Sequence, residues 1–325
     1  MTYSFDWPQS MLFANGPTRE QAAQKARQPL HQWLQEERID TQVLELLPAL
    51  YVPLAAWVDH QVTACNGQLV VGLCGGQGSG KSTLAHILSV VLEAGFSRRT
   101  AAVSIDDIYK THEERQAMAQ QVHPLFATRG VPGTHDVALG RELLDTLRTL
   151  KHGERSAIPR FDKAADTRAP RSMWAEVRGP IDVIILEGWC VGAAPQSDDA
   201  LAQPINTLEA NEDQDGGWRN EVNRALRDDY PQVFGELDLL LLLQVSGMES
   251  VFQWRRLQEE KLRAAIDESG GDRKRVMSNA EVDRFVMHYE RITRHILSEM
   301  PGRADAVFPI GADHNPAHVH FNRPD

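Results

Sequence analysis

The sequence is poor in cysteine, and its cysteines do not stand at the spacing of a metal site. The 325 residues contain Cys65, Cys74 and Cys190 and no CxxC pair. This odd, scattered set excludes a disulfide framework and a cysteine-ligated metal cluster. It is typical of a reducing compartment, so we expect a cytoplasmic protein in which each cysteine is a small buried apolar residue.

Long hydrophobic runs are also lacking. The most apolar stretch, residues 237–245, is interrupted by Asp238 and Gln244 and is far shorter than the roughly 20 residues needed to cross a bilayer. Residues 1–10 contain no basic segment followed by an apolar run, and Asp6 stands where a signal peptide would be apolar. We therefore expect neither a membrane span nor export.

Positive charge is in deficit. The 34 lysines and arginines against 45 aspartates and glutamates give a net charge of -11, which opposes binding to nucleic acid or to an anionic membrane. With 42% hydrophobic residues, the chain can nevertheless bury a large core. We therefore expect neither nucleic acid nor a membrane as a partner, and the sequence leaves a monomer and a homodimer both open.

From residue 67 onward, short apolar runs alternate with amphipathic helices. The predicted strands cover residues 69–74, 101–105, 181–186, 239–245 and 306–310. The predicted helices cover residues 81–93, 137–151, 250–267 and 278–300. This alternation predicts an α/β fold with a mostly parallel, doubly wound sheet and helices on both faces.

Residues 1–66 lack the alternation and are predicted to form a helical N-terminal extension to a domain of residues 67–325. A capping-box pattern marks a helix start at Thr18. Three prolines are expected to break or kink the helices of the extension, namely Pro29, Pro48 and Pro53. Two polar stretches of the domain, residues 111–134 and 195–220, are interpreted as surface excursions, the second of them an acidic solvated loop.

A glycine-rich turn joins the first predicted strand of the domain to its first helix. It consists of Gly75, Gly76, Gln77, Gly78, Ser79, Gly80, Lys81, Ser82 and Thr83. Gly75, Gly78 and Gly80 let the backbone curl so that successive N–H groups point at an anion, and the helix N-terminus adds its dipole. Lys81 is expected to span the β- and γ-phosphates and the Ser82 hydroxyl to ligate Mg²⁺. The turn is thus a P-loop, and the lack of an Asn-Lys-x-Asp motif favours ATP over GTP.

Two other predicted strands end in carboxylates. Glu187 ends an apolar strand that can lie beside the P-loop strand, where it is predicted to hold Mg²⁺ directly or through water; the alternative is a solvent-facing strand end. Asp106 and Asp107 follow the strand that ends near residue 105. Asp106 is our prediction for the base that orients an acceptor hydroxyl and takes its proton, whereas Asp107 is a helix cap or a support for the metal.

These motifs, together with further blocks in the same order, resemble the D-glycerate 3-kinases, which belong to a P-loop kinase group with uridine kinase, phosphoribulokinase and pantothenate kinase. The resemblance runs from about residue 70 to residue 315. The further blocks are residues 133–136, 159–163, 186–189, 251–255 and 285–289. The resemblance implies an acceptor site that includes Asp106, Tyr109, His135, Asp136, Arg160 and Lys163.

The resemblance also extends to a lid and to the nucleotide base. Residues 254–276 are rich in arginine and lysine and resemble a kinase lid, which excludes water and delivers arginine to the developing charge. Arg255 and Arg263 are eight residues apart and would share one helical face as catalytic groups, unless the helix is an ordinary exposed one. Asn315 lies where the related kinases contact the base.

The resemblance implies that ATP phosphorylates a hydroxyl of D-glycerate to give 3-phosphoglycerate. The glycerate carboxylate then needs a cation, and the sequence does not choose among Arg160, Lys163, Arg168 and Arg171. Two alternatives stay open: a kinase of the same fold that acts on a nucleoside, pantothenate or a sugar phosphate, and a nucleotide-binding regulator without acceptor turnover.

Overall fold

The computed structural model describes residues 5, 7, 17–65, 67–269, 277–311, 315, 316 and 318–322. The described helices are α1 (Arg19–Glu36), α2 (Val52–Ala64), α3 (Lys81–Phe96), α4 (His112–Gln121), α5 (Val137–Thr149), α6 (Asp198–Leu201), α7 (Thr207–Glu212), α8 (Gly217–Asp228), α9 (Pro231–Phe234), α10 (Met248–Ser269) and α11 (Asn279–Glu299). The described strands are β1 (Leu69–Gly75), β2 (Thr100–Ser104), β3 (Arg155–Ile158), β4 (Phe161–Asp162), β5 (Thr167–Arg168), β6 (Ala175–Arg178), β7 (Val183–Gly188), β8 (Leu239–Val245), β9 (Ala306–Ile310) and β10 (His320–Phe321).

The central sheet has six strands in the order β10-β9-β8-β1-β7-β2. Its strands are parallel, except that β10 runs antiparallel to β9. The five strands predicted from apolar runs are the five parallel ones, and β8 and β9 have the predicted bounds. The prediction of a mostly parallel sheet is confirmed, whereas the small antiparallel pairs β3–β6 and β4–β5 were not predicted.

Helices cover both faces of the sheet, because both sets of alternating side chains along its strands are apolar. Along β1, Leu69, Val71 and Leu73 join one core with helices α1, α2, α3 and α10, while Val70 and Cys74 join the other core with α5, α8 and α11. The sheet is therefore doubly wound as predicted, and its functional edge is the one where the parallel strands end.

The N-terminal extension packs on the face that carries α3. Its capping box is present, since the Gln21 N–H donates to the Thr18 hydroxyl at 3.3 Å and the Thr18 N–H donates to the Gln21 side chain at 3.0 Å. Ala22 of α1 lies against Gly95 of α3, where an added Cβ would come within 3.1 Å of the alanine Cβ. The helices expected in residues 1–66 are confirmed for the described part, and they share a core with the sheet.

The prolines of the extension differ in their effect. Pro29 lies inside α1, which continues to Glu36, so the break considered there does not occur. Pro48 stands in the first turn of a π-helix, Leu47–Tyr51, and Pro53 in the first turn of α2. Proline is tolerated in a first turn because its missing N–H would have no partner there.

The interpretation of residues 111–134 and 195–220 as surface excursions is confirmed only in part, because most of residues 195–220 are exposed but both stretches form helices and contain buried polar side chains. Helix α4 lies in the first stretch and α6, α7 and the start of α8 in the second. Glu209 of α7 is buried and accepts two hydrogen bonds from Arg291 of α11 at 2.6 and 2.8 Å. The partner arginine stands about eighty positions away, so the acidic composition alone gave no sign of burial.

We expect Glu209→Ala to lower the free energy of unfolding by about 3–5 kcal/mol, because it leaves the guanidinium of Arg291 buried without its counter-charge. The matched control is Glu212→Ala, which removes a surface pair with Arg284 (43% and 47% exposed side chains) and is expected to cost less than about 1 kcal/mol. Urea denaturation followed by circular dichroism measures both. Equal small losses would show that the buried pair contributes no more than the exposed one.

The prediction that the cysteines are buried is confirmed only in part. Cys74 and Cys190 are buried as expected, but Cys65 is exposed at the end of α2. Burial raises the pKa of the Cys74 thiol to about 12, so that thiol is unreactive at neutral pH.

No helix in the described ranges has the length and apolar character that a bilayer span requires.

Candidate active site

The glycine-rich turn connects the end of β1 to the start of α3 at the functional edge. Gly78 and Gly80 have φ of 80° and 85°, in the left-handed region that disfavours other residues. Gly75 is needed for a different reason from the one predicted: an added Cβ would lie 2.6 Å from Ser79 Oγ and 2.9 Å from Leu243 Cβ. The curled backbone expected of a P-loop is therefore present at two of the three glycines, and close packing explains the third.

Two cavities meet at this turn. The larger, here called the P-loop cavity, has a volume of about 660 Å³ and the smaller, here called the Asp106 cavity, about 320 Å³. Gly78, Lys81, Ser82 and Gln258 line both of them. The arrangement suits two ligands that must meet at one point.

The P-loop cavity contains most of the predicted nucleotide-binding residues. Those that line it are Gly78, Ser79, Gly80, Lys81, Ser82, Thr83 and Asn315. Gly75 and Gly76 do not line it, since they pack against β8 and the segment that follows it, and Gln77 lines the Asp106 cavity instead. Apolar side chains of Leu243, Phe308 and Ile310 add to its lining.

Glu187 lies beside the P-loop, as the strand order requires. Strand β7 lies between β1 and β2, with Glu187 in register with Leu73 on one side and Ser104 on the other. The Ser82 hydroxyl donates to Glu187 Oε1 at 2.9 Å, while Oε2 is buried without a hydrogen-bond partner among the described residues. A buried carboxylate oxygen without a partner is costly, and a hydroxyl next to a carboxylate fits a hard divalent cation such as Mg²⁺.

Asp106 stands in the Asp106 cavity, in the first turn after β2. Its carboxylate accepts hydrogen bonds from the Lys163 ammonium at 2.7 Å and from the Tyr109 hydroxyl at 2.9 Å. Burial raises the pKa of this carboxyl, but the adjacent Lys163 charge and the hydrogen bonds outweigh burial and lower it to about 2. Asp106 is therefore ionised at neutral pH and able to accept a hydrogen bond from a ligand hydroxyl.

Asp107 does not face either cavity. Its carboxylate accepts hydrogen bonds from the Phe161 backbone N–H and from Arg160, each at 3.0 Å. These bonds tie the β4–β5 hairpin to the end of β2, and Lys163 lies in the turn of that hairpin. Asp107 thus positions the segment that brings Lys163 to Asp106. This role differs from the two that were predicted for Asp107, a helix cap and a support for the metal.

Several predicted site residues lie outside the lining of both cavities. His135 is fully buried behind Tyr109, with ring centroids 4.5 Å apart, and burial lowers its pKa to about 3, so it is neutral. Asp136 caps α5 through the Leu139 N–H and pairs with Arg168 at 3.0 Å. Arg160 donates to Asp107, which lines neither cavity. The geometry therefore does not favour direct contact between these three residues and an acceptor.

Arg255 and Arg263 lie in one continuous helix, α10, as their predicted common face requires, but only Arg255 lines a cavity. Arg255 lines the Asp106 cavity, stacks over Phe285 at 5.4 Å and donates to Glu259. Arg263 donates to the Met277 carbonyl at 3.3 Å and lines neither cavity. The predicted lid of residues 254–276 begins in α10, and its residues 270–276 lie outside the described part of the chain.

Two other cavity residues were not predicted as site residues, although Tyr289 lies in the block 285–289 that carries the resemblance. Arg129 and Tyr289 line the Asp106 cavity, and the Tyr289 hydroxyl donates to the Arg129 carbonyl at 3.1 Å. Gly130 has φ of 136°, and an added Cβ would lie 2.1 Å from the Tyr289 oxygen. These residues come from distant parts of the chain and share no local pattern, so only the fold brings them together.

Comparison with known proteins agrees with this geometry. Residues 70–194 match the model of the phosphoribulokinase / uridine kinase family. An uncharacterized kinase of Schizosaccharomyces pombe is 34% identical over 236 residues, which is 68% of this chain and 78% of that protein. The chain belongs to this kinase family. As a family member, it is a nucleotide-dependent kinase of a small molecule.

Two further relatives are similar to this member of the family. The chloroplast D-glycerate 3-kinase of Arabidopsis thaliana is 31% identical over 256 residues, which cover 74% of this chain and 52% of the plant protein, about half of its length. The structure of a D-glycerate 3-kinase from Cryptococcus neoformans superposes with a TM-score of 0.69 at 25% identity, covering 84% of this chain and 99% of that one.

Proposed function

We propose that this kinase transfers the γ-phosphoryl group of ATP to a hydroxyl of D-glycerate, giving 3-phosphoglycerate. The observation that carries the proposal is the Asp106 cavity, in which an ionised carboxylate and the Lys163 ammonium adjoin Lys81 of the P-loop. A carboxylate suits the alcohol of glycerate and an ammonium group suits its acid. The names of the Arabidopsis and Cryptococcus relatives support the same acceptor.

The P-loop side holds and neutralises the donor. Backbone N–H groups of the turn and the N-terminus of α3 bind the phosphates, and Lys81 stabilises the charge that develops on the transferred group. Ser82 and Glu187 would hold Mg²⁺, which supplies charge neutralisation to the phosphate oxygens. Because Lys81 and Ser82 line both cavities, the terminal phosphate comes to lie between the donor and acceptor sites.

The acceptor side orients the hydroxyl. Asp106 accepts its hydrogen bond and its proton, since the carboxylate is ionised at neutral pH. Among the four cations considered from the sequence, Lys163 is favoured for the glycerate carboxylate because it lines the cavity. Arg160 and Arg168 pair with Asp107 and Asp136, and Arg171 lies over Trp174.

The cytoplasm is the proposed location of this reaction. Cys65, Cys74 and Cys190 are free thiols, which is typical of proteins kept in a reducing compartment.

The test is an acceptor screen that measures ADP release by the purified protein with ATP and Mg²⁺. We expect turnover with D-glycerate, no more than background with its neutral analogue glycerol, and a product that co-elutes with 3-phosphoglycerate. Robust turnover with uridine, pantothenate or a sugar phosphate and none with D-glycerate would identify a different acceptor. Binding of ATP without turnover on any acceptor would instead favour a nucleotide-binding regulator.

A further inference from the structure

The segment between α1 and α2 lines the same cavity as the glycine-rich turn. Its contribution consists of residues 38–40, 42, 43, 50 and 51, here called the N-terminal wall. Asp40 and Gln42 are exposed, whereas Leu50 and Tyr51 are buried. The N-terminal wall therefore offers the cavity polar side chains at its rim and an apolar surface further in.

The N-terminal wall is fixed relative to the P-loop. The Asp40 carboxylate accepts the Gln42 N–H at 2.9 Å and so begins the short 3₁₀ helix Thr41–Glu45. Before it, Trp33 of α1 stacks on His86 of α3 with ring centroids 3.9 Å apart. Because α3 begins at Lys81, the wall and the phosphate-binding turn belong to one packed unit.

The volume and lining of the cavity exceed what phosphates need. A triphosphate is satisfied by the N–H groups and the lysine of the turn, and it gains nothing from apolar neighbours. The cavity is nevertheless also lined by Val43 and Tyr51 of the wall and by Phe308 and Ile310 of β9. An apolar slot with polar groups at its rim suits a planar nucleobase joined to a ribose.

We propose that the N-terminal wall is the nucleoside-binding part of the nucleotide site, with Asp40 and Gln42 contacting the ribose or the polar edge of the base. The inference rests on the proposed function, in which a nucleotide occupies the P-loop. It assigns a binding role to the helical extension, whose role the sequence left open. It also means that the nucleoside is contacted by both the wall and Asn315, which lines the same cavity.

The test compares two ligands that differ only by the nucleoside, namely ADP and inorganic pyrophosphate, in isothermal titration calorimetry with Mg²⁺ present. The protein tested is a double variant that carries Asp40→Asn and Gln42→Ala. Asparagine is chosen at position 40 because it still caps the 3₁₀ helix. We expect the variant's Kd for ADP to rise about tenfold from the loss of two polar contacts, with the Kd for pyrophosphate changed less than about twofold. The matched control is Glu45→Ala, in the same short helix but outside the cavity lining, which should change neither Kd.

The outcomes separate this inference from the proposed function. If the variant binds ADP as tightly as the unmodified protein, or loses ADP and pyrophosphate equally, the wall does not bind the nucleoside. Equal affinity of the unmodified protein for the two ligands also overturns the inference while leaving the kinase function intact. If the unmodified protein binds neither ligand, the proposed function itself fails.

Discussion

Replacing Lys81 by alanine is expected to lower kcat/KM about 1,000-fold. The Lys81 side chain is the cation at the junction of the two cavities, where the transferred group carries its developing charge. Removing one preorganised donor to such a charge typically costs 100-fold to about 1,000-fold, and here a full positive charge is lost with it. The measurement is ADP release with D-glycerate as acceptor.

The control for this variant is Lys151→Ala, which removes an exposed lysine beyond the end of α5 and should leave kcat/KM unchanged. Circular dichroism establishes that both proteins fold. A Lys81→Ala protein with undiminished turnover would mean that the phosphates bind elsewhere, and the assignment of the P-loop would be refuted.

Asp106→Asn is expected to lower kcat about 1,000-fold, with little change in KM for ATP. The amide keeps the shape of the carboxylate but cannot take the acceptor proton, and general-base catalysis is typically worth 100-fold to about 10,000-fold. Asp106 lines the acceptor side and not the P-loop cavity, so nucleotide binding should be spared. Steady-state kinetics with each substrate varied in turn measure both constants.

Asp107→Asn is the matched control, because Asp107 is the next residue and faces away from the cavities. Its amide oxygen can still accept the Phe161 N–H, so kcat should fall less than about tenfold. The pH profile gives a second check: since the pKa of Asp106 is lowered to about 2, Asp106 should cause no acid limb in kcat/KM above about pH 5. Equal losses in the two variants would show that Asp106 acts through folding alone.

The parts of the site that follow directly from strands could be predicted from the sequence. The P-loop, Asp106 and Glu187 each come after an apolar run, and the carboxyl ends of parallel strands meet at one edge of a sheet. That rule alone brings Lys81, Asp106 and Glu187 together without knowledge of any contact. Strands β8 and β9 were placed correctly as well, because a short run of apolar residues between polar segments is typical of a buried strand.

The rest depends on contacts between distant residues. His135 and Asp136 belong to a block that resembles the acceptor site, yet they support it from behind through Tyr109 and Arg168. Nothing local distinguishes a polar residue that touches a ligand from one that holds its neighbour in place. The prediction of a solvated acidic loop was wrong at Glu209 for the same reason, because the arginine that neutralises this residue stands on α11.

The order of β2, β7 and β1 in the sheet has a consequence for how such enzymes diversify. Asp106 and Lys81 follow β2 and β1, and Glu187 lies near the end of β7 between them; the spacing of these strands, about 4.8 Å, is set by main-chain hydrogen bonds. Lys163, in contrast, is carried by a two-stranded hairpin that is held by side-chain contacts, among them those of Asp107 with Phe161 and of Asp136 with Arg168. Descendants of this chain could therefore exchange the hairpin and acquire a new substrate while the machinery of phosphoryl transfer stays unaltered.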